Sequence, residues 1–186
     1  MSRDDAQVVR AWRRGDPEAA RALFERHVAV LGRFFSTKVG VEADDLVQLT
    51  FMTALSNPDR FEGRSSFRSY LLGVANNVLL KHLRTRYARG RHLDFDDVTL
   101  RDLGTSASRK LAKNDDRRRL LESLASLPLH EQVALELYYW EELPASEIAE
   151  ALGVPEGTVR TRIRSARLKL RRRLGAIRTA EARTAP

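Results

Sequence analysis

The chain has 186 residues, 42% of them apolar and 31% charged, enough for one large soluble domain or two small ones. Its 33 Lys and Arg outnumber 25 Asp and Glu, and the formal net charge of +8 points to a polyanionic partner. With no Cys there is no disulfide framework, thiolate metal site or Cys nucleophile, and no apolar run approaches the roughly 18 residues of a membrane span.

The elements then read as helices throughout. Val8, Val9 and Trp12 form a short stripe that ends at Gly15. Asp16-Pro17-Glu18 supplies a cap, a first-turn proline and an acid for the positive end of a second helix. Leu23, Phe24, His27, Val28, Leu31, Phe34 and Phe35 recur along it, and Gly40 stops it. A third helix opens at Asp44-Asp45 and runs through Val47, Phe51, Ala54 and Leu55 to Asn57-Pro58. After a loop, Ser66 caps a fourth with Phe67, Tyr70, Leu71, Val74 and Val78 inward.

Residues 84–113 break the pattern. Thr85 to Gly90 is polar and basic, and Gly104 to Ser108 is small and polar. No face wide enough to bury is expected, so the segment is predicted to be an extended, flexible linker. Stretched, 30 residues reach roughly 100 Å. Helices resume from Asp115 to Leu127, from Leu129 to Trp140 with Val133, Leu137 and Tyr138, from Pro144 to Leu152 and from Glu156 to about Leu174. A disordered tail is expected over 176–186. The predicted fold is all-α: helical domains at 1–83 and 114–175 joined by that linker.

Charge is unevenly shared. Residues 1–83 carry +2, 84–113 carry +4, 114–154 carry −6 and 155–173 carry +7. The +7 segment follows a helix-turn-helix pattern. Ile148 and Leu152 face a core, Ala149 is small, Gly153 supplies a left-handed turn residue, and Val154, Val159 and Ile163 anchor the second helix. At about 100° per residue, Ile163, Ala166 and Leu170 lie within about 40° of Val159. Arg160, Arg164, Arg167 and Arg171 form a neighbouring stripe, with Thr161 and Ser165 beyond it. Such a helix fits the DNA major groove, where Arg bridges the two acceptors of guanine and Ser or Thr contacts either base type. Thr158 and the amides at the helix start suit phosphate. The −6 segment is expected to offset part of this charge.

The residues before the linker narrow the reading. Ala43-Asp-Asp-Leu-Val-Gln-Leu-Thr-Phe-Met-Thr-Ala-Leu55, Phe61-Glu-Gly-Arg-Ser-Ser-Phe67 and Tyr70-Leu-Leu-Gly-Val-Ala-Asn-Asn77 resemble the promoter-melting domain of small bacterial sigma factors, the extracytoplasmic-function group of the sigma-70 family. Residues 128–174, with Gly-Thr-Val-Arg-Thr-Arg-Ile-Arg-Ser-Ala-Arg-Leu, resemble its −35-binding domain. The resemblance implies a factor that binds core RNA polymerase, recognises −35 and −10 promoter DNA and promotes melting. It implies that Asp44, Asp45, Leu46, Gln48, Leu49 and Met52 meet the clamp helices of the polymerase's largest subunit. It assigns −10 contacts to Phe61, Arg64 and Ser65 in the Asn57–Ser65 loop and to Asn76, Asn77, Lys81 and Arg84 on the next helix. Phe61 either stacks on a flipped base or packs on its own domain. The −35 set is Thr158, Arg160, Thr161, Arg162, Arg164, Ser165 and Arg167.

The resemblance also sends the linker through the polymerase cleft, where Asp94, Asp96, Asp97 and Asp102 are expected to mimic RNA phosphates. An anti-sigma factor is an expected partner, and the expected location is the cytoplasm, without membrane insertion. Three residues depart from the family pattern: Tyr70 replaces a usual Trp, Gly73 a frequent Arg, and Pro144 a capping Ser. Gly73 removes one DNA contact.

Two rival readings remain. A free-standing helix-turn-helix regulator would bind DNA without polymerase. A metal-dependent nuclease would have to draw on Asp44, Asp45, His27, His82, His92 and His130, which lack metal-ligand spacing. No catalytic residue, metal or cofactor is therefore expected.

Overall fold

The computed structural model describes residues 3–56, 58–88, 93–104 and 115–184. Asn57, and residues 89–92 (with His92) and 105–113 of the expected linker, lie outside the described residues. In the N-terminal unit, α1 (Arg3–Arg13) turns at Gly15, whose φ of 88° lies in the left-handed region, into α2 (Pro17–Ser36). The Asp16 carboxylate accepts the Glu18 amide at 2.9 Å, the expected cap. α3 (Ala43–Leu55) carries Asp44 and Asp45 in its first turn, and Ser66 caps α4 (Phe67–Tyr87) by accepting the Ser69 amide at 3.1 Å.

The core of this unit gathers Trp12, Leu23, Leu31, Phe35, Phe51, Phe67, Leu71 and Leu79. Two assignments change. Phe24 lies at the margin, 41% exposed, while Leu46, expected on the polymerase-facing side, is buried. In the C-terminal unit, α5 (Asp115–Leu124) ends a turn earlier than expected. It packs with α6 (Leu129–Tyr139), α7 (Ala145–Leu152) and α8 (Glu156–Thr184) around Leu124, Leu129, Val133, Leu137, Ile148 and Val159. Tyr138, expected inward, is 42% exposed. α8 continues through the predicted disordered tail to Thr184, because Ala176 to Thr184 contains good helix formers and no Gly or Pro.

The linker departs most from expectation. α4 runs to Tyr87, four residues past the predicted boundary, and residues 93–104 are docked on the C-terminal unit. The Leu129 amide donates to Val98 O at 3.0 Å, the Arg101 amide to Ala125 O at 2.9 Å, and Thr99 forms an antiparallel bridge with Pro128. Phe95 and Leu100 are buried, worth roughly 1.5–3 kcal/mol each. Two apolar residues five apart show no periodicity, so the sequence pattern missed them.

The two units meet through α7 and α4. Gly73 is the point of closest approach: a Cβ there would stand 2.5 Å from Ala151 O. Its missing side chain therefore serves a helix contact. Gly73→Ala should raise helix propensity by about 0.5–1 kcal/mol, yet push α7 away, since a backbone carbonyl cannot step aside cheaply. The expected result is a more stable N-terminal unit by thermal melting and a larger radius of gyration by solution scattering. An unchanged radius would show that the contact relaxes without parting.

Candidate nucleic-acid interface

The turn of the helix-turn-helix has the geometry its residues dictate. Gly153 sits at φ 64°, ψ 36°, left-handed, and its amide reaches Ala149 O and Glu150 O. The Val154 amide donates to Ala149 O at 3.1 Å, and Ile148, Val159, Ile163 and Ala166 are buried beneath. Pro144 offers no side-chain cap, but its carbonyl accepts the Ile148 amide at 3.1 Å, so the first turn of α7 still closes.

α8 turns Arg160, Thr161, Arg164 and Arg167 to solvent. Arg160 pairs with Glu156 one turn back at 2.6 Å, an exposed contact worth at most about 1 kcal/mol and easily exchanged for DNA. Three members of the expected set are placed otherwise. Arg162 turns back, 15% exposed, and pairs with Asp96 of the docked linker at 3.0 Å. The Ser165 hydroxyl donates to Glu131 at 2.8 Å, and Lys169 reaches the same carboxylate oxygen. The Thr158 amide is taken by Pro155 O at 2.9 Å, so it is not a free phosphate donor.

On α4, Asn77, Lys81 and Arg84 are exposed. Asn76 is buried and its side-chain oxygen has no protein partner. Phe61 is 4% exposed, its ring against Phe67 at 5.5 Å and Tyr70 at 5.3 Å, so its packing role is the one seen. Arg64 projects, with Glu62 at 2.8 Å and Glu150 at 3.5 Å. Ser65 is half-buried. On α3, Asp44, Asp45, Gln48, Leu49 and Met52 share an open face, with Leu49 46% and Met52 63% exposed.

What sequence reasoning missed is the role of the −6 segment. Its acids address the N-terminal unit more than α8. Glu136 meets buried Lys38, and Thr37 donates to the same oxygen at 3.2 Å. Glu141 meets Arg68, and Arg33 at 3.2 Å. Glu147 accepts from Ser69, and from Ser66 at 2.8 Å. Burial alone would raise the Glu147 pKa, but the two hydroxyls outweigh it and hold the carboxyl below its ordinary value. Ser66, Gly73, Asn77 and Arg84 fall within about 40° of one another around α4, with Ser69 about 60° to one side. α7 therefore covers one end of the stripe whose other end carries the expected DNA contacts. Arg64, Gly73 and Asn77 line a cavity of about 200 Å³ together with Glu150 and Ala151.

Among the described residues, His27 and His130 pack beside aromatic rings. His27 stacks near Phe67 at 5.5 Å, and burial lowers its pKa, as it does those of His82 and His130. Among the described residues, no helix is long and apolar enough to cross a membrane.

The Sigma-70 region 2 family model matches residues 20–89, and the Sigma-70 region 4 model matches residues 117–170. The chain is 31% identical over 164 residues to the ECF RNA polymerase sigma factor SigC of Mycobacterium tuberculosis, covering 83% of this chain and 82% of that one. It is 29% identical over 158 residues to the RNA polymerase sigma factor HrpL of Pseudomonas syringae pv. syringae, covering 83% and 86%. Its fold is similar to that of CnrH, solved with the cytosolic domain of CnrY, at 24% identity and a TM-score of 0.69 over 92% of this chain and 97% of that one. It is also similar to that of the sigma factor RpoE of Bartonella quintana, solved with the anti-sigma factor NepR, at 22% identity and 0.65 over 83% and 96%. The chain belongs to the extracytoplasmic-function group of the sigma-70 family of RNA polymerase sigma factors, with region 2 in its N-terminal unit and region 4 in its C-terminal unit.

Proposed function

We propose that region 4 reads the −35 element through Arg160, Thr161, Arg164 and Arg167, and that region 2 reads the −10 element through Arg64, Asn77, Lys81 and Arg84. As a sigma factor the protein directs RNA polymerase to promoters for transcription initiation; it is not an enzyme. The observation that carries the −35 assignment is the solvent-facing Arg row on α8, aligned by the left-handed turn at Gly153. Groove-facing Arg side chains pair with guanine edges, whereas Arg171 and Arg172 lie further along the helix toward phosphate. Arg160→Ala or Arg164→Ala should cost roughly 1–3 kcal/mol of binding and relax preference at one −35 position. Arg171→Ala or Arg172→Ala should weaken all sequences evenly and lower the salt slope by about 1 each. Titrating −35 duplex variants at several salt concentrations checks both; identical profiles for the two pairs would refute the assignment.

The open face of α3 supports contact with the polymerase clamp helices: Asp44 and Asp45 stand beside Gln48, Leu49 and Met52. A carboxylate edge beside exposed apolar side chains suits a basic, partly apolar partner helix. The CnrY and NepR complexes of its structural neighbours support an anti-sigma factor as a partner of this chain as well. Its place of action on this reading is the cytoplasm, where polymerase is.

A further inference from the structure

We propose that residues 93–104 act as a strap. Docked on region 4, they keep the two promoter-reading domains together, and they must peel away before both promoter elements can be engaged. The inference rests on the sigma-factor function, and its geometry is a matter of reach. The −35 and −10 elements are 25 steps apart by name, about 85 Å along B-form DNA. Allowing about 15 Å for the radius of each domain leaves a gap of about 55 Å.

With the strap docked, only residues 88–92 separate the end of α4 from Leu93, a reach of about 20 Å. That cannot bridge the gap. With the strap released, the chain from Tyr87 to Asp115 reaches about 95 Å, which can. Release is therefore a required step, and the strap is positioned to control it.

The strap has anchors at both ends and in its middle. Phe95 is buried, with His130 at 6.0 Å on the region 4 side and the Arg84 guanidinium of region 2 at 5.0 Å over its ring. Asp96 holds Arg162, Leu100 is fully buried, Val98 O accepts the Leu129 amide, and the Arg101 amide donates to Ala125 O in the segment before α6. Asp102 braces Thr99, accepting its hydroxyl at 2.6 Å and its amide at 3.2 Å. Peeling the strap away exposes the Phe95 ring, frees Arg162 beside the DNA-reading face and takes the Asp96 carboxylate away from α8. Arg84, one of the proposed −10 contacts, is freed from Phe95 in the same step. Strap release thus couples extension of the tether to a more positive DNA-binding surface at both ends.

The absence of native cysteines makes the test clean. Thr99→Cys/Pro128→Cys spans the antiparallel bridge, where Cα atoms stand about 4.5–5.5 Å apart, within the range a disulfide needs. Closed, this link limits the tether from Tyr87 to residue 99 to about 40 Å, still short of the gap. With core polymerase and a promoter carrying both elements, the oxidised protein should lose run-off transcription and regain it on reduction, while its binding to an isolated −35 duplex persists, weakened at most several-fold by the Asp96 carboxylate that stays beside α8. Equal transcription from the oxidised and reduced forms would overturn the proposal. Loss of duplex binding on oxidation would mean a damaged region 4; the strap is then judged on Phe95→Ser. That variant needs no polymerase: combined with Glu136→Ala, which opens the α4–α7 contact, it should raise the radius of gyration in free solution above that of Glu136→Ala alone at unchanged helicity. An unchanged radius would count against the strap. If even the reduced double variant and the parent chain fail to initiate, the sigma reading has failed, and the scattering result still decides the strap.

Discussion

Glu136→Ala is expected to part the two domains before it unfolds either of them. Lys38 is fully buried and Glu136 is 3% exposed, so the pair is closed off from water. One carboxylate oxygen of Glu136 takes Lys38 and Thr37, and the other accepts from Gln132 at 2.7 Å. Without the carboxylate, the ammonium keeps Phe34 O at 2.8 Å, Thr37 Oγ1 at 3.1 Å and the face of the Phe34 ring at 4.0 Å. None of these carries a compensating charge, and an uncompensated buried charge costs about 3–5 kcal/mol.

The chain has two ways to avoid that cost. Lys38 can lose its proton, a route that burial already favours by lowering its pKa. From an ordinary value near 10.4 this still costs about 4–5 kcal/mol at pH 7. The alternative is to open the interface and let water reach the ammonium. That gives up the Glu141 and Glu147 contacts and the packing of α4 on α7 at Gly73 and Ala151, while the helices within each unit stay packed on one another. Opening is the expected course. Solution scattering of Glu136→Ala should show expansion at unchanged far-ultraviolet helicity. Lys38→Met/Glu136→Leu should stay compact, since an apolar pair of similar volume replaces a buried ion pair at little or no cost. A compact Glu136→Ala chain with its parent's denaturation midpoint would show that the pair does not hold the domains.

These residues also mark what the sequence could and could not convey. Helices with periodic apolar stripes were legible, as were Asp16 and Ser66 as caps and Gly153 as the left-handed turn, because each signal is local. The solvent-facing row on α8 followed from angle alone for Arg160, Thr161, Arg164 and Arg167. Arg162 and Ser165 are placed otherwise: Arg162, only about 60° from Val159 by the same angle, turns back to Asp96, and Ser165 reaches Glu131, partners far along the chain that the local pattern does not name. The −6 charge of residues 114–154 was visible, but its direction was not. Charge counts do not say which neighbour a carboxylate faces, and Glu136, Glu141 and Glu147 face region 2. Gly73 read as a lost DNA contact, whereas in the fold it is the clearance for Ala151. A glycine records that something comes close without naming it.

Phe61 is where stability and promoter melting can be separated, and the two substitutions that separate them should behave very differently. Phe61→Ala should destabilise region 2 by about 3–5 kcal/mol, the usual cost of truncating a buried aromatic side chain. The ring is 4% exposed and held by Phe67 and Tyr70, and those neighbours cannot close the gap without moving α4, which is pinned at Ser66 by its cap. Any loss of transcription in that variant would be ambiguous. Phe61→Leu keeps most of the apolar volume and should cost under about 1.5 kcal/mol, but it removes the flat face that a flipped base needs. Stacking on an aromatic ring is worth about 1–3 kcal/mol per base, so a stacking role would slow promoter opening by roughly tenfold or more in the Leu variant. The expected result is the opposite: Phe61→Leu should open promoter DNA at close to the parent rate, followed by strand reactivity in the −10 region, because a ring with no free face cannot stack on a base. Arg64, with its side chain 70% exposed at the mouth of the same loop, should then show the larger defect when changed to Ala. A Leu variant that folds fully yet fails to open the promoter would instead mean that the loop turns Phe61 outward when DNA arrives, at the cost of breaking its contacts with Phe67 and Tyr70.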